Sequence, residues 1–182
     1  MPRVICLQPL IGSLMRNVLT ALLATGALLG AAGGASAANP ATTTFTVMAT
    51  VLKNCTVSAA NLNFGNYTPT GGALAVNTTV SVSCTLNTSF NTELTAGTTT
   101  GATIAQRLLT NGTQTLQYNL YTTAGFATPW GTTIGTNTVA GTGAGMGTPV
   151  VQTVYGQLVD SAANQAVPPG SYTDTITVDV AY

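Results

Sequence analysis

The chain has 182 residues, of which four are Lys or Arg, four are Asp or Glu and none is His. Only 4% of the residues are charged, against about 25% in an average soluble domain. Four cations cannot supply the basic surface that displaces counterions from nucleic-acid phosphates. Without histidine, the chain lacks the commonest general base and zinc ligand and cannot form a Ser-His-Asp or Cys-His site. We therefore expect neither an enzyme nor a nucleic-acid-binding protein, and no cofactor.

Residues 1–37 predict a secretory signal peptide. Arg3 and Arg16 give a basic beginning, an uncharged run rich in Leu and Ala follows over 18–29, and Ala35-Ser36-Ala37 is a small-x-small cleavage site. A membrane anchor is the alternative, because the uncharged stretch 18–38 is near spanning length. Its second half consists of small residues that partition weakly into lipid, so we expect cleavage near Ala37.

Removing 37 of the 182 residues leaves 145, the size of one domain with a substantial core. This part keeps two cations and four acids, which gives a formal charge of −2. Cys6 leaves with the signal, and Cys55 and Cys84 remain. An even number of cysteines in an oxidising compartment predicts one structural disulfide, which stabilises a fold by about 3–4 kcal/mol at this spacing. A redox or metal pair is the weaker alternative, because the spacing is not C-x-x-C and no His is present.

Apolar and polar residues alternate with a period of two in segments rich in Val, Thr and Tyr, which predicts strands. Asn111-Gly112 predicts a hairpin turn, and Trp130 lies in a long loop rich in Gly and Thr. Short strands with these connections favour an antiparallel β-sandwich. The predicted strands cover residues 43–52, 55–59, 62–64, 79–86, 90–96, 104–109, 115–121, 150–159 and 172–182.

The acids are the only candidate catalytic groups. Asp174 and Asp179 lie five positions apart on one predicted strand, hence on opposite faces, so they cannot form a carboxylate pair. The Thr-rich faces and Trp130 also suggest a lectin-like surface on which Trp130 stacks against a sugar. We favour the other interpretation, that Thr suits solvent-facing strand positions and that Trp130 is largely buried and caps one end of the core.

The first predicted strand indicates an unpaired element. Its two faces are Phe45, Val47, Ala49 and Val51 on one side and Thr44, Thr46, Met48, Thr50 and Leu52 on the other. The sequence stops at Tyr182 on an equally regular strand, so we expect a sandwich that lacks a final edge strand and exposes a groove. The first strand of a neighbouring subunit is our candidate occupant, and such a head-to-tail contact extends into a filament.

Short motifs run through the chain in a distinctive order. They are Cys55-Thr56-Val57, Leu62-Asn63-Phe64-Gly65-Asn66-Tyr67, Val80-Ser81-Val82-Ser83-Cys84, Leu116-Gln117-Tyr118-Asn119-Leu120-Tyr121, Trp130-Gly131, Val154-Tyr155-Gly156, Pro169-Gly170-Ser171-Tyr172-Thr173-Asp174 and Val178-Asp179-Val180-Ala181-Tyr182. In order and spacing the sequence resembles the spore coat protein U domain family, which includes pilin subunits of archaic chaperone–usher pili in Gram-negative bacteria.

The resemblance implies an all-β fold, an incomplete immunoglobulin-like antiparallel β-sandwich over residues 54–182 with an N-terminal donor strand within residues 38–53. It implies a Cys55–Cys84 disulfide. It also implies that Phe45, Val47, Ala49 and Val51 form the donor face, and that the strand with Ile176, Val178, Val180 and Tyr182 is the acceptor wall held by a chaperone. Met48 and Leu52 are apolar too, so the inserted face stays open by one residue.

The function hypothesis is a secreted structural subunit of a surface pilus. The resemblance implies passage through the periplasm of a Gram-negative bacterium to the cell surface, a periplasmic chaperone, an outer-membrane usher and head-to-tail contacts with identical or related pilins. Adhesion and biofilm formation are the expected roles, without a small-molecule cofactor. The alternatives are a structural protein of a spore or cell-surface coat and a sugar-binding adhesin module.

Overall fold

The computed structural model describes residues 39–182, and the predicted signal peptide lies outside the described residues. Residues 48–182 form one compact unit. The predicted first strand, residues 43–52, is not a strand in this single chain: residues 39–54 form no helix or strand and are exposed throughout. Residues 43–52 carry the strand pattern, but a strand exists only where a neighbouring backbone accepts and donates its hydrogen bonds.

Two antiparallel sheets make up the fold, as predicted. Sheet A has five strands in the order β1-β2-β7-β5-β4, and sheet B has three in the order β6-β3-β8. Within residues 39–182 the elements are β1 Cys55–Ala59, β2 Leu74–Cys84, β3 Ser89–Leu94, β4 Arg107–Thr110, β5 Thr115–Tyr121, β6 Val139–Thr142, β7 Val150–Leu158, α1 Ala162–Gln165 and β8 Val178–Ala181.

The core lies between the inner faces of the two sheets. Alternate residues of β2, β5 and β7 face inward from sheet A, and Phe90 and Leu94 of β3 face inward from sheet B. Trp130 is fully buried in this core, and its Nε1 donates a hydrogen bond to the carbonyl oxygen of Thr92 at 2.8 Å. Because a sugar needs an exposed ring face, the interpretation that Trp130 stacks on a sugar is wrong.

Local signals predicted several elements correctly. β1 and β5 have the predicted bounds, and β4 and β5 form the hairpin expected around Asn111-Gly112. In that turn Gly112 has a φ of 96°, and Asn111 Oδ1 accepts hydrogen bonds from two backbone N–H groups downstream. Cys55 and Cys84 are cross-strand partners of β1 and β2 and form the predicted disulfide.

Two predicted strands are wrong over much of their length. Residues 62–64 form no strand, although Leu62 and Phe64 pack against the core from the connection between β1 and β2. Residues 172–177 also lie outside the strands, because this segment crosses from one sheet to the other. Thr173 forms a bridge with Thr110 at the end of β4 in sheet A, and the chain then pairs with β3 in sheet B.

Arg107 is a buried cation that the sequence analysis did not identify. Its Nε and Nη2 donate to the Thr95 carbonyl oxygen at 2.9 and 2.8 Å, Nη1 donates to Asn119 Oδ1 at 2.7 Å, and Nη2 also donates to the Trp130 carbonyl oxygen at 2.6 Å. Burial lowers the pKa of Arg107 to about 10, so the side chain stays charged at neutral pH. Arg107 thereby links β4 of sheet A to the end of β3 in sheet B.

We expect Arg107→Lys to lower the free energy of unfolding by about 2–4 kcal/mol, because a single ammonium cannot serve acceptors on three segments. Urea denaturation measures this loss. Gln106→Lys, at the exposed neighbouring position, is the matched control and should change stability by less than about 0.5 kcal/mol. Equal stability of the two variants would contradict the structural role of the guanidinium.

Candidate functional site

A long groove runs between the free edges of the two sheets. β1 ends one side of sheet A and β8 ends one side of sheet B, and neither has a second strand neighbour within the described part of the chain. One wall is formed by residues 59–64, which continue from β1, and the other by residues 171–178, which lead into β8. This part of the groove has a volume of about 610 Å³.

A second stretch extends the groove. It has a volume of about 480 Å³ and lies between Tyr67 and Pro69 on one side and residues 167–170 on the other. Both stretches are lined by Leu62, Phe64 and Tyr172, so they form one continuous channel along the side of the sandwich. We call this channel, from residues 59 and 178 to residues 69 and 167, the edge groove.

The floor of the edge groove is the hydrophobic core itself. It consists of Val80, Leu94, Tyr118, Leu120 and Val154, all of which are buried. The walls add side chains that are only half-buried and pack on this core: Leu62, Phe64, Tyr172, Ile176 and Val178. The edge groove therefore has half-buried apolar walls above a core that is itself buried.

The predicted acceptor residues lie partly in this groove. Ile176 and Val178 line it, and Val180 is half-buried against the core. Val178 and Val180 are the cross-strand partners of Leu94 and Thr92, which places both on the inner face of sheet B. Tyr182 is different, because it is 54% exposed.

The predicted donor residues are exposed. Phe45 is 87%, Val47 81% and Val51 86% exposed, and Ala49 is also exposed. Met48 and Leu52 on the alternate face are exposed to a similar degree, at 86% and 75%. Burial in this single chain therefore does not distinguish the two faces of the segment.

Asp160 stabilises one end of the edge groove through hydrogen bonds. Its carboxylate accepts hydrogen bonds from the Tyr67 hydroxyl, from the backbone N–H groups of Thr70 and Gly72 at 3.3 and 3.0 Å, and from Gln165 Nε2 at 3.2 Å. The bond from Tyr67, with support from the other donors, holds the pKa of Asp160 below its ordinary value. Burial together with the nearby carboxylate raises the pKa of Tyr67 to about 12. Asp160 thus fixes the loop that forms this end of the groove.

Asp174 holds the other wall. Its Oδ2 accepts a hydrogen bond from the Tyr118 hydroxyl at 2.7 Å, and its Oδ1 accepts one from the Thr98 backbone N–H at 2.9 Å. Burial and this bond raise the pKa of Tyr118. Asp174 is thus a half-buried, hydrogen-bonded carboxylate and not an ordinary surface acid. The signal that was missed is its phase: Asp174 shares the inward period of Tyr172, Ile176 and Val178.

Comparison with known proteins agrees with this architecture. The sequence profile of the Spore Coat Protein U domain matches residues 41–179. The chain belongs to the spore coat protein U domain family. The matched region begins at Ala41, so the exposed segment before Cys55 is part of the family's domain. No curated protein sequence matches the chain.

A solved structure shares the fold. It is a chain in the crystal structure of the CsuC–CsuE chaperone–tip adhesion subunit pre-assembly complex from the archaic chaperone–usher Csu pili of Acinetobacter baumannii. The two chains are 23% identical with a TM-score of 0.50, over 73% of this chain and 40% of that one. The present chain thus spans about 40% of the length of its structural neighbour. The likeness supports an incomplete immunoglobulin-like sandwich.

The chemistry that the described residues offer is recognition of an extended backbone. From residue 39 onward, no three His, Cys, Asp or Glu side chains come together in a way able to hold a metal ion. The helix found in this part of the chain, α1, is too short to cross a membrane. The edge groove instead combines free strand edges with an apolar floor, which suits a peptide strand.

We expect the stability of the domain to fall as the pH drops below about 4, and Asp160→Asn to flatten this dependence. Because the folded pKa of Asp160 is lower than the unfolded one, the unfolded chain binds more protons in this range, and stability is lost as pH falls. Urea denaturation from about pH 6 to about pH 3 measures the slope. Tyr67→Phe, which removes the main donor, should flatten it partly; an unchanged slope in both variants would refute the role of Asp160.

Proposed function

We propose that the chain is a structural subunit of a surface pilus and that subunits join by donor-strand complementation. The observation that carries the proposal is the edge groove, whose half-buried apolar walls lie on the hydrophobic core beside two free strand edges. The exposed segment that precedes β1 supplies a strand of matching pattern. The donor is residues 41–53 of one subunit, and the acceptor is the edge groove of the next.

The donor segment and the groove match in periodicity. Side chains at every second position of a strand project to one face about 6.6 Å apart, so Phe45, Val47, Ala49 and Val51 enter a groove side by side. Covering Phe45, Val47 and Val51 contributes about 1.5–3 kcal/mol for each side chain. Pairing with the edge of β8 adds backbone hydrogen bonds that a strand at the end of a sheet otherwise gives to water.

The geometry of such an exchange produces a filament. The donor precedes Cys55 and the acceptor is formed largely by residues 59–64 and 171–178, so donor and acceptor are different surfaces of each subunit. A contact between different surfaces is head-to-tail and does not close on itself unless the rotation forms a ring. Each added subunit then carries an empty groove or a free donor for the next.

A subunit that awaits assembly needs its groove covered, because an open edge above a core favours aggregation. The solved neighbour is a chaperone–subunit pre-assembly complex of chaperone–usher pili, which supports the same arrangement here. We propose that a periplasmic chaperone occupies the edge groove next to Ile176 and Val178, and that an outer-membrane usher replaces it with a donor strand. The pilus so formed lies on the surface of a Gram-negative bacterium and serves adhesion and biofilm formation.

Deleting residues 38–52 should abolish polymerisation and leave the edge groove able to accept an added strand. We expect the truncated chain to bind a synthetic peptide of residues 41–53 and gain thermal stability, because the peptide covers the core. Electron microscopy detects fibres, and the rise in unfolding temperature when peptide is added measures binding. A peptide with Val47 and Val51 changed to Asp is the control. Fibres from the truncated chain would show that the mechanism is wrong.

Two single substitutions should decide which face inserts. Val47→Asp should prevent fibre formation, because it would bury an unpaired carboxylate in the apolar groove. Met48→Asp should allow fibre formation, because the side chain at position 48 points away from the groove. Trypsin provides the readout: Lys53 and Arg107 are the only cleavage sites in residues 39–182, and Arg107 is fully buried. Lys53 should be cut rapidly in single subunits and protected in fibres.

Fibres from Val47→Asp and none from Met48→Asp would assign the inserted face to Met48 and Leu52 and would leave the mechanism unchanged. Normal fibres from both variants, with Lys53 accessible throughout, would contradict insertion of this segment altogether.

A further inference from the structure

The outer face of sheet A carries a row of aromatic side chains. Tyr121 of β5 and Tyr155 of β7 are direct cross-strand partners. Phe126 packs against Tyr121 with a ring-centroid distance of 5.3 Å and an interplanar angle of 70°. All three rings are half-buried, so each keeps part of its surface in solvent. We call Tyr121, Phe126 and Tyr155 the aromatic row.

The aromatic row faces away from the edge groove. A Cβ atom on Gly156 would lie 2.5 Å from Leu62, so position 156 points toward the groove wall. The neighbouring positions, Tyr155 and Gln157, therefore point outward. A ligand on the aromatic row and a strand in the edge groove occupy opposite faces of β7, and both fit at once.

The loop that presents Phe126 is closed and strained. Tyr121 forms a bridge with Pro129, and the Thr122 backbone N–H donates to the Thr128 carbonyl oxygen at 3.1 Å. Phe126 has a φ of 52°, a left-handed conformation that costs a bulky residue free energy and is retained mostly at functional positions. The loop thus holds an aromatic ring beside Tyr121 in a fixed position, which lowers the entropy lost on binding.

Amide and hydroxyl groups surround the aromatic row, and no charge does. Asn77 is the cross-strand partner of Tyr155 on β2, and Gln157 follows on β7 beside it. The remaining outward positions on sheet A contain Ser, Thr, Asn, Gln, Ala, Val and Leu, without any acid or base on the described strands. Neutral donors and acceptors next to aromatic faces complement a molecule with hydroxyl edges and C–H faces.

We propose that the aromatic row and its flanking amides, Asn77 and Gln157, bind an uncharged carbohydrate. Sugar C–H faces pack on Tyr121, Phe126 and Tyr155, and sugar hydroxyls bond to the amides. A contact between two copies of the chain is the other use of such a face. The composition favours the sugar, because Met and Arg, which are enriched at the centre of protein interfaces, are absent from the outward strand positions of sheet A, and Ser, which is depleted at such interfaces, is common there.

Affinity electrophoresis of the exported chain in gels that contain a neutral polysaccharide tests the site. The probes are hydroxyethyl cellulose, laminarin, galactomannan and dextran, with anionic alginate for comparison. We expect at least one neutral polysaccharide to retard the chain. Tyr155→Thr and Tyr121→Thr should each weaken the retardation at least tenfold, because Thr keeps the strand but removes the ring.

Val151→Thr is the matched control, since Val151 is exposed on the same face of β7 as Tyr155 but lies outside the aromatic row, and this variant should bind like the unchanged chain. Resistance of the Arg107 peptide bond to trypsin shows that each variant is folded. The proposal would be overturned if no neutral polysaccharide retarded the chain, or if alginate alone retarded it. It would also be overturned if Tyr155→Thr abolished self-association of the chain but left the retardation by polysaccharide unchanged. Normal fibre formation by Tyr155→Thr separates this site from strand exchange.

Discussion

The edge groove is the constraint on which the rest of the structure depends, because its half-buried apolar walls lie on the core beside the edges of β1 and β8, which have no second strand neighbour in residues 39–182. In a complete sandwich, strand pairing would hold residues 59–64 and 171–178 in place, but here both walls lie beside an empty channel. Two carboxylates hold these walls instead. Asp160 fixes the loop of residues 67–72, and Asp174 joins the last segment to Tyr118 and the Thr98 loop. The edge groove therefore has an apolar floor, and the hydrogen bonds of two carboxylates hold its walls in place.

The same constraint explains where the few charges lie. Residues 39–182 contain two cations and four acids. Arg107 is buried between the sheets, Asp160 and Asp174 hold the groove, and Lys53 lies at the end of the exposed segment. Glu93 and Asp179 remain, opposite each other on sheet B. Half of the charged side chains in residues 39–182 thus serve as internal hydrogen-bonding groups.

Sequence periodicity predicted the elements whose neighbours are close in the chain. The β4–β5 hairpin and the bounds of β1 and β5 follow from local turn and strand signals, whereas the disulfide follows from the even number of cysteines. Residues 172–177 alternate as regularly as any strand, but they cross between sheets, and alternation records burial rather than pairing. Arg107 escaped prediction for a related reason: its guanidinium is satisfied by carbonyl oxygens from distant segments, which no local pattern encodes.

The proposed strand insertion would use the inner surfaces and edges of the sandwich and would leave the outer face of sheet A free. That face has hydroxyls, amides and three aromatic rings but no charge on its strands. Long-range electrostatic steering of a ligand needs net charge and is screened beyond about 10 Å at ordinary salt concentrations. The strands of this face carry no charge that could provide it. Contacts on this face must form at short range through stacking and neutral hydrogen bonds. Their strength should then change little with ionic strength, and a filament would gain affinity by repeating the same weak site on successive subunits.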